Sequence, residues 1–174
     1  MPPPTDLEAL RQAHARELFA YLWRLFDGGP EAEDCLQETF LRALRAYPRL
    51  RSHRNLRAWL YRVATNTART YFRRQARVQS RAADLDRDTP EPGLPPSDSY
   101  DRQRTLTAVR AAIQALPHKQ RSALWLRKYQ GLSYSEIALA LDCSPGAARA
   151  NVYQALARLR RHFADSADEE NSTP

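Results

Sequence analysis

Apolar residues recur at steps of three and four along most of this chain, the spacing that lays a stripe down one face of an α-helix. No stretch alternates as a half-buried strand would, and glycine is scarce, so the pattern reads as all-α. A first helix over about residues 6–26 turns Leu10, Leu18, Leu22 and Leu25 inward, and Asp27-Gly28-Gly29-Pro30 breaks it. A second, over about 31–46, buries Ala32, Cys35, Leu36, Thr39, Phe40, Ala43 and Leu44, and Pro48 ends the pattern. After an arginine-rich loop, Asn55 is the N-cap of a third long helix to about residue 76, with Leu56, Leu60, Val63, Ala64, Thr67 and Tyr71 facing in.

The period then lapses. Residues 80–104 are rich in proline and acid and read as a flexible, locally extended linker. It resumes with Leu106, Val109, Ile113 and Leu116, stopped by Pro117, followed by a helix over about 118–129 that Gly131 caps in a left-handed conformation. Ser133-Tyr134-Ser135-Glu136 is a capping box opening a short helix, and Ser144 with Pro145 starts a last one to about Phe163. The expected architecture is two small helical domains, 10–78 and 105–163, joined by the linker 79–104. A disordered N-terminus (1–9) and a disordered acidic tail (164–174) flank them.

Charge sharpens this picture. Residues 1–77 carry 14 basic against 8 acidic side chains, residues 78–104 carry 4 against 6, and residues 105–174 carry 9 against 6. Two basic blocks around an acidic connector suggest two contacts with nucleic acid. From Thr39 to Ala83 there are twelve arginines and no acid, with Trp59, Tyr61, Tyr71 and Phe72 interleaved. Like charges at this density weaken a compact state, so the pattern points to a polyanion. Aromatics among guanidinium groups suit exposed bases, which stack while arginines take phosphates.

A mean hydropathy of −0.68 and the absence of any long apolar run leave no membrane span, and residues 1–8 lack the layout of a secretory signal, so the expected location is the cytoplasm. Cys35 and Cys143 have no partner at metal-ligand spacing, and the four histidines are scattered, so no metal or cofactor is expected. Residues 39–83 hold no carboxylate cluster for a nuclease metal, and no phosphate loop or nucleophile–base set occurs. The chain does not read as an enzyme.

The segment from Gly131 to Arg161 has the layout of a helix-turn-helix, in which the second helix enters the major groove. Ala138 and Val152 suit the packing between its helices, and Arg149, Asn151, Tyr153 and Gln154 occupy the exposed early positions that reach base edges or phosphates. On the third helix Trp59, Arg62, Asn66, Arg69 and Arg73 share one face, fit for a strand with bases turned outward, while Arg73, Arg74 and Arg77 suit phosphates. On the second helix Asp34, Gln37, Glu38 and Leu41 lie opposite the apolar stripe. Pattern alone indicates DNA and leaves open a free-standing helix-turn-helix regulator of duplex operators, which would leave the third helix and the acidic face idle.

With both blocks in view, the chain resembles a bacterial sigma factor of the extracytoplasmic-function (group IV) type. The segment 32-AEDCLQETFLRAL-44 resembles the family's region 2.2, 59-WLYRVATNTARTYFRRQAR-77 its regions 2.3 and 2.4, and residues 115–161 its region 4. The resemblance implies a protein that binds core RNA polymerase, directs it to promoters and helps melt the −10 region. It implies that Asp34, Gln37, Glu38 and Leu41 meet the coiled coil of the largest subunit, with the flap as a second polymerase contact. It implies that His53, Arg54 and Asn55 help capture a −10 base alongside the third-helix face, and that Ser144, Arg149, Asn151, Tyr153, Gln154 and Arg158 bind the −35 duplex. Promoter DNA, duplex and melted, is then a partner, and an anti-sigma factor is a further one. In this family a Thr-Val pair commonly opens the recognition helix, followed by Lys/Arg-Ser-Arg; here Ala147, Ala148, Arg149, Ala150 and Asn151 stand there, which implies weaker backbone anchoring. By the same resemblance the linker threads toward the RNA path, where Asp84, Asp86, Asp88 and Glu91 stand among phosphates or simply tether.

Overall fold

The structure, a computed structural model, describes residues 7–50, 54–83 and 98–171, and every regular element among them is helical. The first half comprises α1 (Leu7–Leu25), α2 (Glu31–Ala46), a 3-10 turn (Tyr47–Arg49) and α3 (Leu56–Ala83). These three helices pack on one another around Leu10, Leu18, Leu22, Leu25, Ala32, Cys35, Ala43, Leu56, Leu60 and Ala64, all buried. Each fully buried leucine here contributes about 1.5–3 kcal/mol over an exposed one. A buried hydrogen bond, Tyr21 hydroxyl to Thr65 hydroxyl at 2.8 Å, ties α1 to α3 inside this core.

The second half comprises α4 (Asp98–Gln114), α5 (His118–Lys128), α6 (Tyr134–Leu141) and α7 (Pro145–Asn171). Gly131, at φ +68°, closes α5: the Leu132 amide donates back to the Leu126 carbonyl at 3.0 Å, a bond that needs the left-handed residue between. The capping box at α6 is complete, since Glu136 returns to the Ser133 amide at 2.8 Å while the Ser133 hydroxyl accepts from the Glu136 amide. Asp142, left-handed at φ 53°, makes the turn, and the Ser144 hydroxyl accepts from the Ala147 amide at 3.1 Å to start α7. Ala138 and Val152 are buried between α6 and α7.

Several boundaries differ from the sequence reading. Leu44 is 54 % exposed, because the α2 face that packs on α1 and α3 is spent by Ala43 and the stripe turns out to solvent one residue later. α3 continues to Ala83 and α4 begins at Asp98, inside the segment read as linker. α7 continues to Asn171, through most of the segment read as a disordered tail. None of these extensions contains glycine or proline, and their Arg, Ala, Gln and Glu content favours helix once a packed turn has nucleated it. Linker residues 84–97, with Asp84, Asp86, Asp88 and Glu91, lie outside the described residues.

The halves are docked. α6 packs along α3 and α5 against α1, and one cluster of buried side chains runs from Leu10 through Tyr61 and Ala68 to Leu126, Ile137 and Leu141. No helix among the described residues is long and apolar enough to cross a membrane.

Candidate nucleic-acid and partner interfaces

Three of α3's faces have different fates. Leu56, Leu60, Ala64 and Thr67 are buried against α1 and α2, with Val63 and Tyr71 partly so, as the period requires. A second stripe, Ala58, Tyr61, Thr65 and Ala68, is also buried, on the side where α6 docks. On the remaining face Asn66, Arg69, Arg73, Arg74 and Arg77 are exposed, and Arg62 sits at its border. That leaves an amide and four free-facing guanidinium groups on one side of a straight helix, a surface that attracts phosphate and presents donors to bases.

The loop before α3 supplies its cap, with Asn55 Oδ1 accepting from the Ala58 amide at 3.0 Å. Arg54 is exposed, and His53 lies outside the described residues. Trp59 is half-buried, packed on the core with its ring 6.4 Å from Tyr47. The aromatics interleaved with the arginines are therefore mostly structural. Tyr61 is fully buried, Tyr71 meets Phe26 edge-on at 6.0 Å, and Phe72 lies under the Arg121 guanidinium at 4.5 Å. Only Trp59 keeps a partly open ring beside the basic face.

Arg62 does not stand free: its Nη2 pairs with Asp142 of the turn before α7 at 3.0 Å. Sequence reasoning missed its neighbour Arg57. That guanidinium forks onto Glu17 of α1 at 2.8–3.0 Å and also donates to the Gln130 carbonyl at 2.9 Å, while the Tyr61 hydroxyl donates to Gln130 Oε1 at 3.1 Å. Contacts separated by 40 to 73 residues leave no local signal. Burial alone would raise the Glu17 carboxyl, but hydrogen bonds from His14 and Arg57 and the guanidinium charge outweigh it and hold it at about 2. A depressed carboxyl contributes stability that is fully present above its unfolded value near 4.5 and is lost as pH falls toward 2. Glu17→Gln should therefore flatten acid denaturation between about pH 5 and 2, removing roughly 1–2 kcal/mol of pH-dependent stability after allowance for partial exposure. Urea midpoints measured across that range check it.

On α2, Asp34 and Gln37 are exposed, Leu41 is 49 % exposed, and Glu38 pairs with Arg42 at 2.6 Å. Leu44, half open one turn on, widens this face with a second apolar side chain. Acids in the first turn, Glu31, Glu33 and Asp34, also suit the positive end of the helix dipole.

On α7, Ser144 is occupied as a cap, and Asn151 donates to the Ala147 carbonyl at 2.9 Å, which turns its amide back along the helix. Gln154 is exposed but accepts from Gln120 at 2.9 Å. Arg149 lies 5.2 Å over the Tyr134 ring, which Arg127 approaches at 4.8 Å. Tyr153 is 68 % exposed, and Arg158 is exposed on the same helix. Ala148 is fully buried against α6, so alanine there serves close helix packing. Among the described residues, no group of three or more His, Cys, Asp or Glu is placed to hold a metal, and burial pushes the Cys35 thiol up to about 12.

Comparison with known proteins gives each half a counterpart. Residues 10–78 match the family model of Sigma-70 region 2, and residues 106–159 match that of Sigma-70, region 4. The chain is 32 % identical over 158 residues to the RNA polymerase sigma-H factor of Pseudomonas aeruginosa, covering 86 % of this chain and 81 % of that protein. It is 33 % identical over 133 residues to the ECF RNA polymerase sigma-E factor of Escherichia coli, covering 72 % and 70 %. Among solved structures, the sigma factor RpoE of Bartonella quintana, crystallised with the anti-sigma factor NepR, superposes with a TM-score of 0.68 at 23 % identity, over 90 % of this chain and 96 % of that one. At that identity the likeness speaks to the fold.

Proposed function

The chain belongs to the sigma-70 family of RNA polymerase sigma factors, in its extracytoplasmic-function group, and from that membership we propose how its surfaces divide the work. It is an initiation factor and not an enzyme. It binds core RNA polymerase, directs it to promoters and helps melt the −10 region. Residues 10–78 take the −10 element and core, and residues 105–163 take the −35 element. Asp34, Gln37, Glu38 and Leu41 bind the coiled coil of the largest subunit. Arg62, Asn66, Arg69 and Arg73, with Trp59 and the loop His53–Arg54–Asn55, hold the melted strand, while Arg74 and Arg77 take phosphates. Arg149, Tyr153, Gln154 and Arg158 face the −35 duplex, with Ser144 and Asn151 at the start of that helix.

The observation that carries this division is the separation of surfaces: an acidic and apolar face on α2, and an acid-free basic face on α3. A free-standing regulator would use neither. The factor works in the cytoplasm with the polymerase and chromosome. An anti-sigma factor is a partner, a reading supported by the complex in which the Bartonella neighbour was solved.

The test is transcription by bacterial core polymerase on a pool of GC-rich promoter fragments, with and without the protein, sequencing RNA 5′ ends. Discrete new starts sharing two spaced elements are expected. Duplex binding without association to core and without new starts would remove the sigma reading in favour of the regulator.

A further inference from the structure

The docked halves meet along a seam whose chemistry is unlike that of a permanent core. α5 presents His118, Arg121, Ser122 and Trp125 toward the first half, the i, i+3, i+4, i+7 spacing at which an amphipathic helix normally carries its apolar stripe. Both imidazole nitrogens of His118, Arg121 Nε, Ser122 Oγ and Trp125 Nε1 are buried there without a hydrogen-bond partner in the protein. Ser122 Oγ lies near the Tyr21 phenol and the His118 ring near the Thr65 backbone, yet neither pair has hydrogen-bonding geometry. The Arg121 guanidinium is 6 % exposed, covers the Phe72 ring and donates to the Gln114 carbonyl, with no carboxylate among the described residues paired to it. Burial, with the charges of Arg121 and Arg69 adding to it, pushes the His118 imidazole down to about 4. Buried polar groups are nearly always satisfied in a native core, so a full stripe of unsatisfied ones marks a surface that is wet in another state.

The rest of the seam is charge against charge. Asp142 meets Arg62, Glu136 approaches Asn55 and Arg57, and the Gln130 carbonyl takes the Arg57 guanidinium. Acids of the second half thus stand where the basic helix would otherwise meet phosphate.

Geometry makes opening obligatory, on the reading that the two halves bind −10 and −35 elements. About 25 base pairs at ~3.4 Å each separate these by roughly 85 Å of duplex. Yet Asp142, three residues before α7, touches Arg62 of α3 at 3.0 Å. α3 itself, at 28 residues, is about 42 Å long. The docked chain cannot occupy both elements.

We propose that the docked arrangement is an autoinhibitory latch, in which α5 and α6 hold α1 and α3 through a polar seam that must be undone before the factor works. The apparent affinity for core is then reduced by the fraction of molecules that are open. Two pairs of substitutions, both outside the surfaces assigned to DNA or core, shift the latch in opposite directions. Gln130→Ala with Asp142→Ala removes seam contacts. Arg121→Met with Ser122→Ala replaces unsatisfied buried polar groups by apolar ones of similar or smaller size, which favours the docked state.

The test is small-angle scattering of the full chain, thermal unfolding, and titration against core polymerase. The wild type is expected to be compact. The Gln130/Asp142 pair should enlarge the radius of gyration and, if about one wild-type molecule in ten is open, tighten core binding by up to about 10-fold. The Arg121/Ser122 pair should raise the unfolding midpoint, stay compact and bind core at least about 5-fold more weakly. That is a gain of stability with a loss of function, which an ordinary core would not give. An extended wild type, unchanged scattering in the first pair, or a lowered midpoint or undiminished core binding in the second would overturn the latch. Scattering needs no polymerase, so failure of the sigma reading would leave this arm intact.

Discussion

Charge reversal of Asp34 and Glu38 to arginine is expected to reduce specific initiation with core polymerase by about 100-fold or more, while leaving the protein folded. The size follows from the surface these residues share. Asp34 and Gln37 are exposed, Glu38 is anchored only by Arg42, and Leu41 projects half open beside them. An apolar side chain ringed by carboxylates has the form of an interface anchor with a polar rim. Placing two like charges against a basic partner costs several kcal/mol, and about 3 kcal/mol is already more than a hundredfold. The fold pays little by comparison. Losing the Glu38–Arg42 pair costs about 0.3–0.5 kcal/mol, and a cation in the first turn of α2 costs about 0.3–1 kcal/mol against the dipole. The check is sequenced run-off transcription together with circular dichroism. Starts that persist at wild-type level on a folded variant would move the polymerase contact off α2.

How far the sequence exposed this site depends on which contacts were local. The capping box at Ser133–Glu136, the Gly131 turn and the Ser144 cap are contacts within a few residues, and all three stand in the structure as the pattern requires. The core stripe of α3 was readable for the same reason, since a period of 3.6 reports one buried face. It cannot report a second. Ala58, Tyr61, Thr65 and Ala68 are small or polar, carry no apolar signature, and are buried only because α6 docks from more than 60 residues away. That is why Tyr61 read as an aromatic offered to bases and proved to be interior. The same blindness hid Arg57, whose partners Glu17 and Gln130 lie on other helices. α5 carried a clue of its own, since an amphipathic helix with His, Arg, Ser and Trp along one stripe conflicts with its pattern. Such local conflict is what a surface serving two states should show.

Leu22 and Leu44 separate fold from function most sharply, because both are leucines placed inward by periodicity and only one is inside. Leu22 is fully buried between α1 and its neighbours, whereas Leu44 is 54 % exposed at the end of α2. Leu22→Ala should cost about 3–4 kcal/mol, the transfer of the lost methyl and methylene groups plus the cavity they leave. Against a total stability of about 5–15 kcal/mol, and at roughly 2–4 °C per kcal/mol for a chain of this size, that lowers the unfolding midpoint by about 6–16 °C. Leu44→Ala should move the midpoint by less than about 0.5 kcal/mol, as exposed substitutions do. Its effect should fall on core binding instead, by up to about 10-fold, since Leu44 continues the open apolar patch begun by Leu41. Calorimetry and competition for core polymerase against the wild type read the two quantities apart. Equal falls in midpoint at both positions would put Leu44 back in the core. A fall at Leu22 alone, with weakened core binding at Leu44, would mean that the last turn of α2 keeps a leucine outside because the polymerase, and not the fold, requires it there.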